Sequence, residues 1–257
     1  METAKNNGHA SGKVIVVMPA YKAAQTIERA YREIPPGAAD EVIIVDDASP
    51  DGTAARARKL GIETIVQPKN KGYGATQKRC YAEALARGAD IIVMLHADAQ
   101  YDARVIPELT AILRRGDADM VLGSRMKVPG DARRGGMPPT KIFVNRALTI
   151  LQNFIFGTRL TDMHTGYRAY TRRCLVMLPI ETNADGFLFD SQVLAQAAAF
   201  GLRIREVAVE SRYFKEASSI GFYNGAAYTF GTLVIVMQFL LMKLGVAKLR
   251  MFRRPAD

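Results

Sequence analysis

Cysteine is almost missing from this chain: Cys80 and Cys174 are its only two, and they lie far apart. Without metal-ligand spacing they exclude a zinc site, and so few thiols fit a reducing compartment. The first thirteen residues are polar and mixed in charge and lack the apolar run of a signal peptide, so the chain is expected in the cytoplasm. No internal repeat or low-complexity block is present. Acidic residues are the scarcer charge, 25 against 35 Lys and Arg, for a formal net charge of +10. A basic surface fits nucleic acid, an anionic membrane or a phosphorylated ligand. No helix-turn-helix, zinc-finger or RNA-recognition pattern accompanies it, so nucleic acid is set aside. The excess gathers at Arg125–Arg146 and Lys243–Arg254, whereas Ser218–Met242 holds no charge at all.

What is present is ordinary globular material: 49% apolar and 23% charged residues over 257 positions, enough for one large α/β domain or two small ones. Short β-branched runs at Val14–Met18, Val42–Asp46, Thr64–Gln67, Ile91–Leu95 and Met120–Gly123 read as strands. Between them Thr26–Glu33, Thr53–Leu60, Gly74–Arg87 and Val105–Arg114 carry helical spacing. This alternation predicts a mostly parallel, Rossmann-like sheet with helices on both faces. Lys127–Thr140, rich in Gly, Pro and Arg, reads as a loop. Helices are expected at Ile142–Phe156 and Ser191–Phe200, and a half-buried strand at Arg203–Val209. The expected organisation is a polar tail at 1–13, one main domain at 14–220 and an apolar, then basic, helical appendage at 221–257.

The most informative segment is Val93-Met94-Leu95-His96-Ala97-Asp98-Ala99-Gln100. An apolar strand runs into polar side chains at its carboxyl end, where open α/β sheets bind ligands. Asp98 and Gln100, two residues apart, can reach one hard cation such as Mg²⁺ or Mn²⁺ that keeps positions open for phosphate oxygens. Met18-Pro19-Ala20-Tyr21 and Val45-Asp46-Asp47-Ala48-Ser49 close two other strands. A carboxylate there can accept from a nucleobase or a ribose hydroxyl, or serve only as a turn and helix cap. Asn70-Lys71-Gly72-Tyr73-Gly74 opens a helix, where glycines let N–H groups approach a phosphate, although a plain loop-to-helix junction has the same composition.

Taken in order, these segments resemble family 2 glycosyltransferases of the GT-A fold, and within them the dolichyl- or polyprenyl-phosphate mannosyltransferase and glucosyltransferase branch. Further matches are Gly123-Ser124-Arg125, Thr161-Asp162-x-x-Thr165-Gly166-Tyr167-Arg168-Ala169, and Arg212 followed by Glu216-Ala217-Ser218-Ser219. The resemblance implies a nucleotide-diphosphate sugar donor and inversion at the anomeric carbon. It places Asp47 and the loop residues Pro19, Ala20, Tyr21, Lys71, Gly72 and Ala97 at the nucleotide. Asp98 would hold the cation with Gln100 beside it, Arg212 would fold over the diphosphate, and Arg125 would face the acceptor. Two departures stand out. His96 occupies the place of the first Asp of the family's Asp-x-Asp motif and is either a metal ligand or a spectator. Lys22-Ala23 replaces the usual Asn-Glu.

The acceptor divides the readings. A polyprenyl phosphate is already an oxyanion and needs positive charge, which Arg125, Arg133, Arg134 and Lys141 supply; Arg168 serves there or braces the Thr165-Gly166 turn. A glycan or glycolipid hydroxyl needs a general base, for which Asp190 is the candidate when it is not simply a helix cap. The arginine-rich loop favours the phosphate. Leu233–Met242, apolar all round a helix, sits in lipid or in protein. The basic residues after it favour a helix lying on the inner face of a membrane, with core packing or a homo-oligomer contact as the alternative. A degenerate nucleotide-binding module is the rival of another class. A nucleotidyltransferase is disfavoured by the absence of a glycine-arginine loop after the first strand.

Overall fold

The computed structural model describes residues 12–213 and 222–255, with side chains of the last long helix from residue 225 onward. Most of the tail at 1–13 and the Glu216-Ala217-Ser218-Ser219 segment lie outside the described residues. Strand β1 (Val14–Ala20) is buried along almost its whole length. A run apolar on both faces belongs at the centre of a sheet covered on both sides. β2 (Glu41–Asp46) and β4 (Ile91–Met94) flank it in parallel, and β3 (Glu63–Val66) continues in parallel beyond β2. With β5 (Met120–Ser124), β6 (Arg168–Thr171) and β7 (Ile204–Ala208) the sheet has seven strands in the order β3-β2-β1-β4-β6-β5-β7. β6 runs antiparallel to β4 and β5, while β5 and β7 are parallel. The strand order turns between β1 and β4, so the crevice beyond their carboxyl ends is the expected ligand site.

Side chains of β1 alternate between two cores, as the period of two requires. Ile15 and Val17 face Cys80 and Tyr81 of α3 (Tyr73–Ala86) and Val193 of α8 (Phe189–Ala199). Val14, Val16 and Met18 face Ile27 of α1 (Ile27–Arg32) and Leu109 of α4 (Ile106–Arg114). α2 (Thr53–Lys59) links β2 to β3. Both cysteines are free and buried, and burial pushes both thiols well up.

Three sequence expectations need correction. Residues 127–140 are not all loop: α5 (Asp131–Arg134) forms there, and α6 (Pro139–Phe156) starts three residues before the expected Ile142, with proline in its first turn, where a missing N–H is harmless. α8 begins at Phe189, which puts Asp190 inside its first turn. Strand β6 and helix α7 (Arg172–Met177) were not anticipated.

The last helix, α9 (Phe222–Lys243), is neither wholly in protein nor wholly free. Thr232, Ile235, Val236 and Phe239 are buried, with the Phe239 ring centroid 4.7 Å from that of Phe156 on α6. Phe230, Leu233, Val234 and Met237 face outward, and α6 adds exposed Phe143, Ile150 and Phe154. Gly225–Lys243 is long and apolar enough to cross a membrane by length and composition, with 22% of that window buried.

Candidate active site

A cleft of about 380 Å³ opens at the carboxyl ends of β1, β2 and β4, lined by Pro19, Ala20, Tyr21, Asp47, Ala97 and Asp98 among others. Each strand-end loop holds one non-glycine residue in the left-handed region: Lys22 at φ 54°, Ala48 at 55° and Ala99 at 55°. Such residues carry strain of about 1–3 kcal/mol and persist where surrounding contacts over-determine them. Here Lys22 N–H donates to Ser49 Oγ, Ser49 N–H to Asp46 Oδ2, and Gln100 N–H to Asp98 Oδ1. The turn after β4 thereby sets the direction of the Asp98 carboxylate.

Asp47 is buried, and its oxygens are taken up by the glycine loop. Oδ1 accepts from Lys71 N–H and Gln67 Nε2, both at 2.8 Å, and Oδ2 from Gly72 N–H at 2.9 Å. Gly74 N–H donates to the Asp185 carbonyl at 2.7 Å. This corrects the reading of the loop as a cradle of N–H groups for phosphate, because those donors already have protein partners. The glycines answer to close packing instead. A Cβ on Gly72, itself at φ +97°, would come within 2.8 Å of the Asp185 carbonyl, and one on Gly74 would strike Phe189 Cβ at 2.8 Å.

A second cavity of about 470 Å³ adjoins the first, and Tyr73, His96, Asp98 and Phe187 line both. Its other walls include Gln100, Arg125, Lys141, Asn145, His164 and Asp190, with Gly225, Tyr228 and Thr229 of α9. Among the described residues no group of three or more His, Cys, Asp or Glu side chains converges tightly enough to hold a metal alone. The donors at the junction of the cavities nevertheless fit a cation shared with substrate. One carboxylate, an amide oxygen and an imidazole lie within five residues, and Mg²⁺-type sites use one or two carboxylates plus phosphate oxygens.

Arg125 is buried beneath the second cavity. Its Nε and Nη2 grip Asp162 at 2.7 and 2.9 Å, Nη2 reaches the His164 carbonyl at 3.0 Å, and Nη1 donates to Tyr213 Oη at 3.1 Å. Of five guanidinium hydrogens, one on Nη1 is left for a ligand among the described residues. Lys141 lies over the Tyr213 ring at 5.1 Å, and burial, then the nearby Arg125 charge, lowers its ammonium pKa. Arg168 is fully buried, donating to the carbonyls of Thr165 and Asp190 at 2.8 and 2.9 Å. It braces the turn, and its assignment to the acceptor is corrected on that ground. Arg133 and Arg134 are exposed residues of α5, line neither cavity, and Arg134 pairs with Asp131.

Arg212 stands at the head of the site but points away from it. Its N–H donates to the Gln100 carbonyl at 2.8 Å, while its guanidinium pairs with Glu33 at 2.6 Å and lines neither cavity. Asp190 accepts from Tyr73 Oη at 2.6 Å and Gln77 Nε2 at 3.3 Å. Sequence reasoning passed over three residues here: Tyr73, Phe187 and His164. Only Tyr73 carried a signal, its place inside Lys71-Gly72-Tyr73-Gly74. His164 keeps Nδ1 2.8 Å from Tyr228 Oη, and its buried Nε2 has no partner among the described residues; burial lowers its pKa to about 4, so the ring is neutral.

This architecture, two joined cavities at the switch point of a GT-A-like sheet, agrees with the comparisons to known proteins. The chain matches the family described as glycosyl transferase family 2 over residues 15–176 and belongs to it; it is a glycosyltransferase. It is 35% identical over 165 residues to the low-salt glycan biosynthesis hexosyltransferase Agl6 of Haloferax volcanii, covering 64% of this chain but only 38% of that protein. It is 30% identical over 209 residues to the undecaprenyl-phosphate mannosyltransferase of Micrococcus luteus, covering 77% of this chain and 82% of the other. Among solved structures, glucosyl-3-phosphoglycerate synthase from Mycobacterium tuberculosis with Mn²⁺ and UDP-glucose superposes with a TM-score of 0.68 at 21% identity, over 96% of this chain and 87% of that one. That last likeness is one of fold.

Proposed function

We propose that this glycosyltransferase moves a sugar from a nucleotide-diphosphate sugar to a polyprenyl phosphate at a membrane surface, with inversion of the anomeric centre. The observation that carries the reading is the position of Asp98 on the wall common to both cavities. On one side lie Asp47 and the strand ends, suited to a nucleotide. On the other lie Arg125, Lys141 and neutral His164, suited to a phosphate. Asp98, with Gln100 and His96, would hold Mg²⁺ or Mn²⁺, and the bound cation would supply charge stabilisation to the departing diphosphate.

This chain's own residues do the rest. A phosphate oxygen of the acceptor attacks the anomeric carbon as the bond to the diphosphate breaks, and the electron pair leaves with the nucleoside diphosphate. No proton need be removed, so the task is orientation and charge matching. The free Nη1 hydrogen of Arg125 and the Lys141 ammonium hold the acceptor oxyanion. Asp190 lines the second cavity, but both its oxygens already accept, from Tyr73 and Gln77, which weighs toward an acceptor that needs no base. The relation to the undecaprenyl-phosphate mannosyltransferase supports the same choice. The exposed apolar stripes of α6 and α9, followed by Lys243, Lys248 and Arg250, would rest on the anionic inner face of a membrane, with the catalytic part in the cytoplasm.

The test is transfer from labelled nucleotide sugars, with Mn²⁺ or Mg²⁺, to polyprenyl phosphate or to a glycolipid hydroxyl. Lipid-phosphate product is expected, together with loss of activity on chelation. Activity confined to the hydroxyl acceptor and abolished by Asp190→Asn overturns the proposal. Nucleotide binding without any transfer or donor hydrolysis would mark a degenerate module.

A further inference from the structure

Segments far apart in the sequence meet at one hydroxyl group. Tyr73 Oη, at the start of α3, lies 2.6 Å from Asp190 Oδ2 and 3.2 Å from His96 Nε2. Glycines make the meeting possible. Gly74 lets the α3 start close onto residues 184–189, which brings Tyr73 to Asp190. A Cβ on Gly166 would collide with His96 Nε2 and stand 2.7 Å from Tyr73 Oη. The His96 ring stacks on Tyr73 with centroids 5.5 Å apart and meets Tyr101 at 5.8 Å. Asp190 is held in turn by Gln77 Nε2 at 3.3 Å and Arg168 Nη1 at 3.4 Å.

We propose that Asp190 and Tyr73 form a positioning chain that fixes His96 as the tautomer protonated on Nε2, presenting unprotonated Nδ1 as a ligand at the cation site of Asp98. This deepens the reading above, because it rests on a cation being held there.

The direction of the chain follows from donor and acceptor inventories. A carboxylate only accepts, so the single Tyr73 hydroxyl hydrogen goes to Asp190. Toward His96 the Tyr73 oxygen then offers only lone pairs, and Nε2 must be the donor. In a neutral imidazole the other nitrogen is unprotonated, and Nδ1 has no partner among the described residues. An outer partner that fixes tautomer and ring orientation is the common arrangement around metal-ligating histidines. Two consequences follow. Asp190 is a positioning residue instead of a base, and an imidazole donor in place of a carboxylate shifts preference from Mg²⁺ toward Mn²⁺.

The experiment uses the full chain with ¹⁵N-labelled histidine, His96 being assigned by its loss in His96→Gln. Without metal, the spectra should show His96 protonated on Nε2, and Tyr73→Phe, which keeps the ring, should mix the two tautomers. Mn²⁺ binding in the presence of a nucleoside diphosphate, followed by electron paramagnetic resonance, should weaken about tenfold in Tyr73→Phe. An Nδ1-protonated wild type, or a Tyr73→Phe variant with unchanged tautomer and Mn²⁺ affinity, overturns the proposal. Asp98→Asn separates the two levels of argument. If it binds Mn²⁺ as tightly as wild type, the cation reading fails and takes the ligand role of His96 with it; a wrong tautomer sinks the positioning chain alone.

Discussion

Arg125 and Asp162 form a two-pronged ion pair beneath the second cavity, with bonds of 2.7 and 2.9 Å. Both side chains are buried, and the backbone N–H groups of Arg125 and His164 also donate to the same carboxylate. Breaking such a pair from one side leaves an uncompensated buried charge. Asp162→Asn should therefore destabilise the fold by about 3–5 kcal/mol, read as a lowered denaturation midpoint. Arg125→Lys keeps the charge but loses the fork, and should weaken the acceptor more than the donor.

Acid should loosen this region in two windows. Burial pushes the Asp162 carboxyl up, but the Arg125 guanidinium overrides that and holds it below the usual range. Its contribution is present above the unfolded carboxylate pKa and is lost as pH falls through the lower folded value. His164, lowered to about 4 by burial, acts at higher pH: the unfolded chain takes up a proton near pH 6.5 that the folded one refuses. Stability should decline from there toward pH 4 by about 3 kcal/mol. Urea melts between pH 8 and 4, with and without His164→Gln, check this; the variant should lose the decline above pH 5.

Lys141 offers the most accessible test of acceptor charge. Lys141→Ala should raise the acceptor KM about tenfold while leaving the donor KM near wild type, the size of one charged hydrogen bond. Steady-state kinetics with each substrate varied in turn decides it; equal effects on both would place Lys141 outside the acceptor site.

Arg212 faces Glu33 in this arrangement, so a role at the diphosphate requires it to change partner. Arg212→Ala should then lower kcat on the order of 10²-fold, as expected for loss of one group stabilising developing charge. Glu33→Ala should leave most of the activity intact. Equal losses in the two variants would show that Arg212 acts through its ion pair alone.

The outward stripes of α6 and α9 predict association with lipid. Combined Phe154→Ser and Phe230→Ser changes should cut sedimentation with phosphatidylglycerol vesicles several-fold, without a shift in the thermal midpoint, since both side chains are exposed. Added salt should weaken binding of the wild type if Lys243 and its neighbours contribute.

Sequence patterning anticipated β1, β2, β4 and β5 because unbroken Val, Ile and Met runs bounded by polar turns have few alternative explanations. It missed β6 because Arg168 interrupts the apolar pattern, and only the fold reveals that this arginine is buried by bonds to Thr165 and Asp190. Asp47 and Asp98 stood out as carboxylates following β2 and β4, and they line the first cavity, Asp98 the second as well. The contact of Tyr73 with Asp190 spans 117 positions and has no local signature. The glycines around Tyr73 were conspicuous, but composition alone does not distinguish a phosphate cradle from a tight seam between two backbones.

That seam joins the walls of the two cavities. Gly74 N–H is bonded to the Asp185 carbonyl and neither Gly72 nor Gly74 has room for a methyl group, so the start of α3 and the stretch bearing Phe187 are packed backbone to backbone. Because Tyr73 and Phe187 line both cavities, a bulky substitution at this seam should deform the two chambers together.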